Sequence, residues 1–208
     1  MELYILRHGT TQWNKTARLQ GRTDIPLDEE GIRLAKETGD ALADVRFDAV
    51  YSSPLKRAYD TAKYVLKDRD LPIQVDERLI EVSFGDLEGM SQQNNGSRKK
   101  QDMDSLKFDI STFHAPPNGE SMQHLLDRTH SFYEDVIHDP KLKGKRVLVS
   151  MHGGSGRALM HSVWKDNDFW HGKVPPNCSV CIVTVEDGEV TDVRQDCTFY
   201  KETPKEYY

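Results

Sequence analysis

Residues 145–160 read KRVLVSMHGGSGRALM, and the way this stretch folds decides the architecture of the chain. Val147, Leu148 and Val149 are the apolar run of a strand at 145-KRVLVSM-151, longer and more apolar than the one before it. His152 ends it, Gly153 and Gly154 let the backbone turn tightly, and the spacing predicts a helix from Ser155 to about Trp164. A strand that runs through glycines into a helix belongs to an alternating α/β fold, and the same rhythm recurs on both sides of it.

Upstream, 2-ELYIL-6 reads as the first strand. A helix follows from Asp28, with Leu34, Ala35, Thr38, Ala41, Leu42 and Val45 on one face. Next come a strand at 47-FDAVYS-52, a helix within 52-SSPLKRAYDTAKYVLKD-68 and a short strand at 73-IQV-75. Downstream, 178-CSVCIVTVEDGEVTDV-193 reads as two strands about an Asp-Gly turn. The expected fold is a three-layer αβα sandwich on a largely parallel sheet, with a C-terminal antiparallel hairpin. Residues 1–208 fit one domain. One region breaks the alternation: from about Gly85 to Pro117 the chain is polar, and a helix then resumes through about Ile137. A structureless loop of that length is unusual in a compact domain, so the segment is read as a cap insertion or as a surface excursion.

Composition narrows the function classes. The 208 residues are 37% hydrophobic and 30% charged, with a formal net charge of -6. That balance disfavours a nucleic-acid or basic membrane-surface partner. No apolar run approaches the roughly 18 residues of a membrane span. The first residues lack the charged and apolar regions of a signal peptide, so a cytoplasmic location is expected. Three cysteines, Cys178, Cys181 and Cys197, fit a reducing compartment. The pair in CSVC sits in strand context, with no second pair to complete a zinc site, and no metal is expected.

In an open α/β sheet, ligands collect where strand C-termini meet helix N-termini. Three segments place cationic or potentially cationic groups there: Arg7 and His8 after 3-LYIL-6, Arg57 early in the second helix, and His152 after the strand of the opening stretch. Ser53 is a good N-cap for that second helix and Pro54 suits its first position. A cation in the opening turns then opposes the helix dipole by roughly 0.3–1 kcal/mol unless an anion is present. Each signal is weak alone. Together, four such groups on one sheet edge repel one another, and a doubly charged tetrahedral anion is the simplest object that resolves the repulsion. A carboxyl partner is expected from Glu77, Glu81, Asp86 or Glu88, and the residues alone do not choose among them.

The motifs LRHGTTQWN, LQGRTDIPLDEEG, SSPLKRAYDTA, LIEVSFGDLEG, PPNGES and SMHGG follow one another along the chain. In that order the sequence resembles the histidine phosphatase (phosphoglycerate mutase-like) superfamily from Leu3 to the C-terminal hairpin. It looks most like the small alpha-ribazole and broad-specificity bacterial phosphatases. The resemblance implies that His8 is a nucleophile forming a phosphohistidine, and that Arg7, Arg57 and His152 hold the phosphoryl oxygens. Asn14, Thr10, Gly21 and the backbone N–H of Gly154 would help bind the substrate, and Glu81 would protonate the leaving group. The implied activity is that of a phosphomonoesterase needing no metal or cofactor and acting on a small phosphorylated metabolite. Two departures stand out: Leu87 replaces a tryptophan common in relatives, and Thr10 replaces a frequent glutamate. A cofactor-dependent phosphoglycerate mutase is the first alternative, although only Arg98, Lys99 and Lys100 could supply its extra basic contacts. A non-catalytic phosphate-binding protein is the second. Oligomeric state stays open, a homodimer included, as do the natural substrate and the role of the aromatic tail.

Overall fold

The computed structural model describes residues 1–91, 113–166, 168–169, 171 and 174–201. In chain order the regular elements are β1 (Glu2–Arg7), α1 (Gln12–Lys15), α2 (Glu29–Ala41), β2 (Ala49–Ser52), α3 (Lys56–Leu66), β3 (Ile73–Val75), α4 (Met122–His138), β4 (Arg146–Met151), α5 (Gly153–Trp164), β5 (Val180–Glu186) and β6 (Glu189–Cys197). Among the described residues, two single 3₁₀ turns, Glu77–Leu79 and Gly85–Leu87, fall between β3 and α4.

The strands form one six-stranded sheet in the order β3-β2-β4-β1-β5-β6. The four strands from β3 to β1 run parallel; β5 is antiparallel to β1, and β6 to β5. Side-chain alternation along β1 splits the core into two layers. Leu3 and Ile5, with Val147, Val149 and Met151 of β4, pack against Phe132, Tyr133 and Val136 of α4 and Leu159, Met160 and Val163 of α5. Tyr4 and Leu6, with Leu148, pack on the opposite face against Ala62, Val65 and Leu66 of α3 and Leu42 at the end of α2. The result is the expected αβα sandwich with its antiparallel C-terminal pair. Among the described residues, no helix is long and apolar enough to cross a membrane.

Several boundaries differ from the sequence reading, each for a physical reason. The second helix starts at Lys56, with Leu55 at the N-cap and no side-chain cap, so Ser53 and Pro54 lie outside it. The Ser53 hydroxyl is drawn instead to His152 of a distant strand end. The polar turn after Gly9 contains the short helix α1, closed by a reciprocal Thr11–Asn14 capping box. α5 begins at Gly153, so the glycine pair is its first turn and not a linker before it. Cys178 is not on a strand: it sits before β5 with φ of 56°, and all three cysteines are free. The proposed insertion at 85–117 lies mostly outside the described residues. At its two ends, the Asp86 N–H donates to the Pro117 carbonyl at 3.1 Å, and Leu87 is buried with Leu19, Val82, Phe84, Met122 and Leu125. Arg98, Lys99 and Lys100 lie outside the described residues.

Candidate active site

Register brings the strand ends together. Arg7 pairs with Met151 across β1 and β4, and Ser52 with Ser150 across β2 and β4. The next residues continue the ladder: the His8 N–H donates to Met151 O, and the Ser53 N–H to Ser150 O. His8, Ser53 and His152 therefore stand abreast at the C-terminal edge of the sheet, where a doubly wound fold leaves its crevice.

His8 is buried, and its Nδ1 lies 2.6 Å from the carbonyl of Gly9. A carbonyl only accepts, so Nδ1 carries the ring proton and the Nε2 lone pair is left available. The His8 pKa lies well below the ordinary 6.5: burial is the main cause, and the Arg57 and Arg7 charges add to it. His152 is held neutral in the same way, by burial first and then by Arg57 and its neighbours. The two rings lie 5.2 Å apart between centroids. Nε2 of His152 is 2.7 Å from Ser53 Oγ. Its Nδ1 is buried and has no hydrogen-bond partner among the described residues.

Both arginines are tied down by main-chain carbonyls. Arg57, fully buried, donates from Nη2 to Gly21 O at 2.7 Å and from Nη1 to Thr23 O at 2.9 Å. Burial pulls its pKa down to about 10, against the pull of Glu81, Asp24 and Glu88, so it stays charged at neutral pH. Arg7 donates from Nη1 to the carbonyl of Pro175 and lies beside Gly153, where a Cβ would come 3.6 Å from its Nε. The loop that receives Arg57 is itself pinned by Glu88, whose carboxylate accepts from the N–H groups of Arg22 and Thr23, both at 2.9 Å. Gly21 has to be glycine here. Its φ is 51°, and a Cβ would sit 2.1 Å from Glu88 Oε1.

Of the four candidate carboxylates, Glu81 is the one at the strand-end cluster. Its Oε1 accepts from the Ser155 N–H at 2.8 Å and its Oε2 from the Gly154 N–H at 3.1 Å, at the N-terminus of α5. That end carries orphan donors and a favourable dipole for negative charge. A Cβ on Gly154 would come 2.9 Å from Glu81 Oε1, so the carboxylate approaches only because this residue has none. Glu77 and Asp86 are exposed, and Glu88 serves the Arg57 loop.

The remaining expected residues are more committed than the sequence suggested. The Thr10 hydroxyl donates to Asp28 Oδ1 at 2.7 Å, anchoring the N-cap of α2. Asn14 is buried, with its Oδ1 accepting from the Thr11 N–H and hydroxyl. The Gly154 N–H goes to Glu81, and Gly21 contributes its carbonyl to Arg57. Sequence reasoning missed Ser155 and Pro175, read Ser53 as a helix cap and left Glu88 among four candidate acids, because each acts through a contact made only in the folded chain. Among the described residues, no three His, Cys, Asp or Glu side chains gather to hold a metal ion.

Two buried neutral imidazoles also set a pH dependence of stability. Their folded pKa values lie below the unfolded one, so the unfolded chain takes up more protons as pH falls below about 6.5. Their contribution is present above that pH and is lost on acidification. The urea midpoint is expected to drop between about pH 7.5 and 5.5, and His8→Asn to flatten the drop. A midpoint that holds or rises on acidification would contradict the neutral burial of these rings.

A fold with two arginines and two histidines gathered at one strand edge is the class in which the comparisons also place the chain. Residues 3–198 match the family model for the histidine phosphatase superfamily (branch 1), and the chain belongs to that superfamily. It is 35% identical over 168 residues to a phosphoglycerate mutase of Schizosaccharomyces pombe, covering 76% of this chain and 77% of that protein. It is equally 35% identical over 159 residues to PhoE of Bacillus subtilis, described as an uncharacterized phosphatase, covering 76% and 75%. Among solved structures, Bacillus stearothermophilus YhfR superposes with a TM-score of 0.84 at 29% identity, over 94% of this chain and 96% of that one. The alpha-ribazole phosphatase from Shigella flexneri does so with a TM-score of 0.76 at 28% identity, over 92% and 94%.

Proposed function

We propose that the protein is a metal-independent phosphomonoesterase that hydrolyses a small phosphorylated metabolite through a phosphohistidine at His8. The observation that carries this reading is the Nδ1–H···O=C bond from His8 to Gly9, on a ring kept neutral beside two charged arginines. A neutral imidazole with its proton fixed on Nδ1 has a nucleophilic Nε2.

In the first step the Nε2 lone pair attacks phosphorus, the P–O ester bond breaks, and the protonated Glu81 carboxyl gives its proton to the leaving oxygen. In the second, the Glu81 carboxylate takes a proton from water as that water attacks phosphorus. The P–N bond breaks and its electron pair returns to Nε2. Charge spreads over the three equatorial oxygens in each transition state, where Arg7, Arg57 and neutral His152 supply the compensating donors. Their carbonyl anchors fix the guanidinium groups beforehand, so little reorganisation is needed when charge develops. The net charge of -6 makes a nucleic acid or an anionic membrane a poor partner.

The mutase reading draws on the 35% identity to a phosphoglycerate mutase. One experiment separates the two: a panel of phosphomonoesters assayed with chelator present, beside 3-phosphoglycerate with 2,3-bisphosphoglycerate. Hydrolysis that persists in chelator and exceeds isomerisation is expected. Efficient interconversion of phosphoglycerates with little hydrolysis would make the protein a mutase, and loss of hydrolysis in chelator would remove metal independence.

A further inference from the structure

Glu81 lies between two 3₁₀ turns, outside any helix or strand, yet its carboxylate has to be held to within a fraction of an ångström. What braces it is a second buried carboxylate that the chemistry above does not use. Glu120, in the PPNGES motif just before α4, has a side chain only 3% exposed. Arg128 of α4 grips it in bidentate fashion, Nε to Oε1 at 2.8 Å and Nη2 to Oε2 at 2.9 Å. Arg22 reaches Oε1 at 3.0 Å, and His124 Nδ1 lies 2.5 Å from the same oxygen. Burial alone would raise the Glu120 pKa; the bonds and charge of Arg128, with Arg22 and His124, hold it below the ordinary value.

Both arginines then extend past Glu120 to the main chain that carries Glu81. Arg22 Nε donates to the Glu81 carbonyl at 3.2 Å, and Arg128 Nη1 to the Arg78 carbonyl at 2.6 Å. A third link runs directly from the Glu120 N–H to the Ser83 carbonyl at 2.9 Å. One carboxylate thus orients two guanidinium groups that grip the segment 78–81 at both ends. A planar guanidinium with five donors in a fixed fork suits this bridging, as a lysine would not. Charge-assisted bonds of this kind are about twice as strong as neutral ones, and removing one partner leaves the rest buried and mismatched.

We propose that Glu120 is a positioning residue for Glu81: through Arg22 and Arg128 it fixes the segment 78–83 and so keeps the Glu81 carboxylate at the N-terminus of α5. The proposal rests on the reading of Glu81 as the proton donor to the leaving group.

The test compares kcat/KM, which covers the steps up to the phosphoenzyme, on an alkyl phosphomonoester and on p-nitrophenyl phosphate. The alkoxide needs its proton; p-nitrophenolate leaves without one. Glu120→Gln keeps the shape and removes the charge. It is expected to lower the alkyl value by about tenfold or more and the p-nitrophenyl value by less than about threefold. Glu81→Gln should show the same selectivity more deeply. Arg22→Met, a change at a part-exposed side chain, should show it more weakly, and it carries the test if Glu120→Gln does not fold. Equal losses on both esters in Glu120→Gln, or no loss on either, would overturn the positioning role while a selective Glu81→Gln leaves the acid in place. Equal losses in Glu81→Gln would overturn the acid assignment and the positioning role with it.

Discussion

His8→Asn is expected to lower kcat/KM for every phosphomonoester by about 10⁴-fold or more, the scale on which removal of a nucleophile acts. Asparagine keeps an uncharged polar group in a site where the imidazole is already neutral, so the chain should still fold. The loss should be the same for good and poor leaving groups, because without a nucleophilic nitrogen no phosphoenzyme forms. The check is a side-by-side assay of p-nitrophenyl phosphate and an alkyl ester. Retention of full activity would remove His8 from the mechanism.

Arg57→Met carries the second large effect, and it acts on both activity and stability. The guanidinium is fully buried, with two of its nitrogens on the Gly21 and Thr23 carbonyls. Its loss takes the guanidinium donor from the Gly21 carbonyl, at about 1–3 kcal/mol if that group stays buried, whereas the Thr23 carbonyl keeps the Ile25 N–H at 3.1 Å. It also removes one of the two fixed cations, for which a drop in kcat of about 10³-fold or more is expected. Arg57→Lys should rescue little, since one ammonium cannot bridge both carbonyls and face a phosphoryl group in the fixed fork of an arginine. Activity assays with a urea titration of each variant separate the two effects. A lysine variant with near-normal kcat would show that charge alone, without the fork, is enough.

Much of the frame was legible because it depends on local pattern. The apolar run Val147–Val149 followed by two glycines could hardly be anything other than a strand entering a helix, and 2-ELYIL-6 and the Asp-Gly hairpin were as plain. Placing Arg7, His8, Arg57 and His152 on one sheet edge needed only the rule that ligands gather at strand C-termini. The failures came where a side chain left its local role for a distant one. Ser53 looked like a helix cap, yet its hydroxyl meets His152, 99 residues away in sequence. Four carboxylates between Glu77 and Glu88 were equivalent in the sequence, because what separates them is which loop or helix end each one reaches. Thr10 and Asn14, expected at the substrate, also carry structural bonds that the sequence did not show, to Asp28 and to Thr11. Glu120 stood inside a motif, but its two arginines come from positions 22 and 128 and meet only in the fold.

The central claim is the covalent phosphohistidine at His8, and rapid quenching of the enzyme with a phosphomonoester labelled in its phosphoryl group tests it most directly. Label bound to protein, stable in alkali, lost in mild acid, located on the peptide containing His8 and absent from His8→Asn is the predicted result. Hydrolysis that proceeds with no labelled protein at any quench time, or label that persists in His8→Asn, would contradict it.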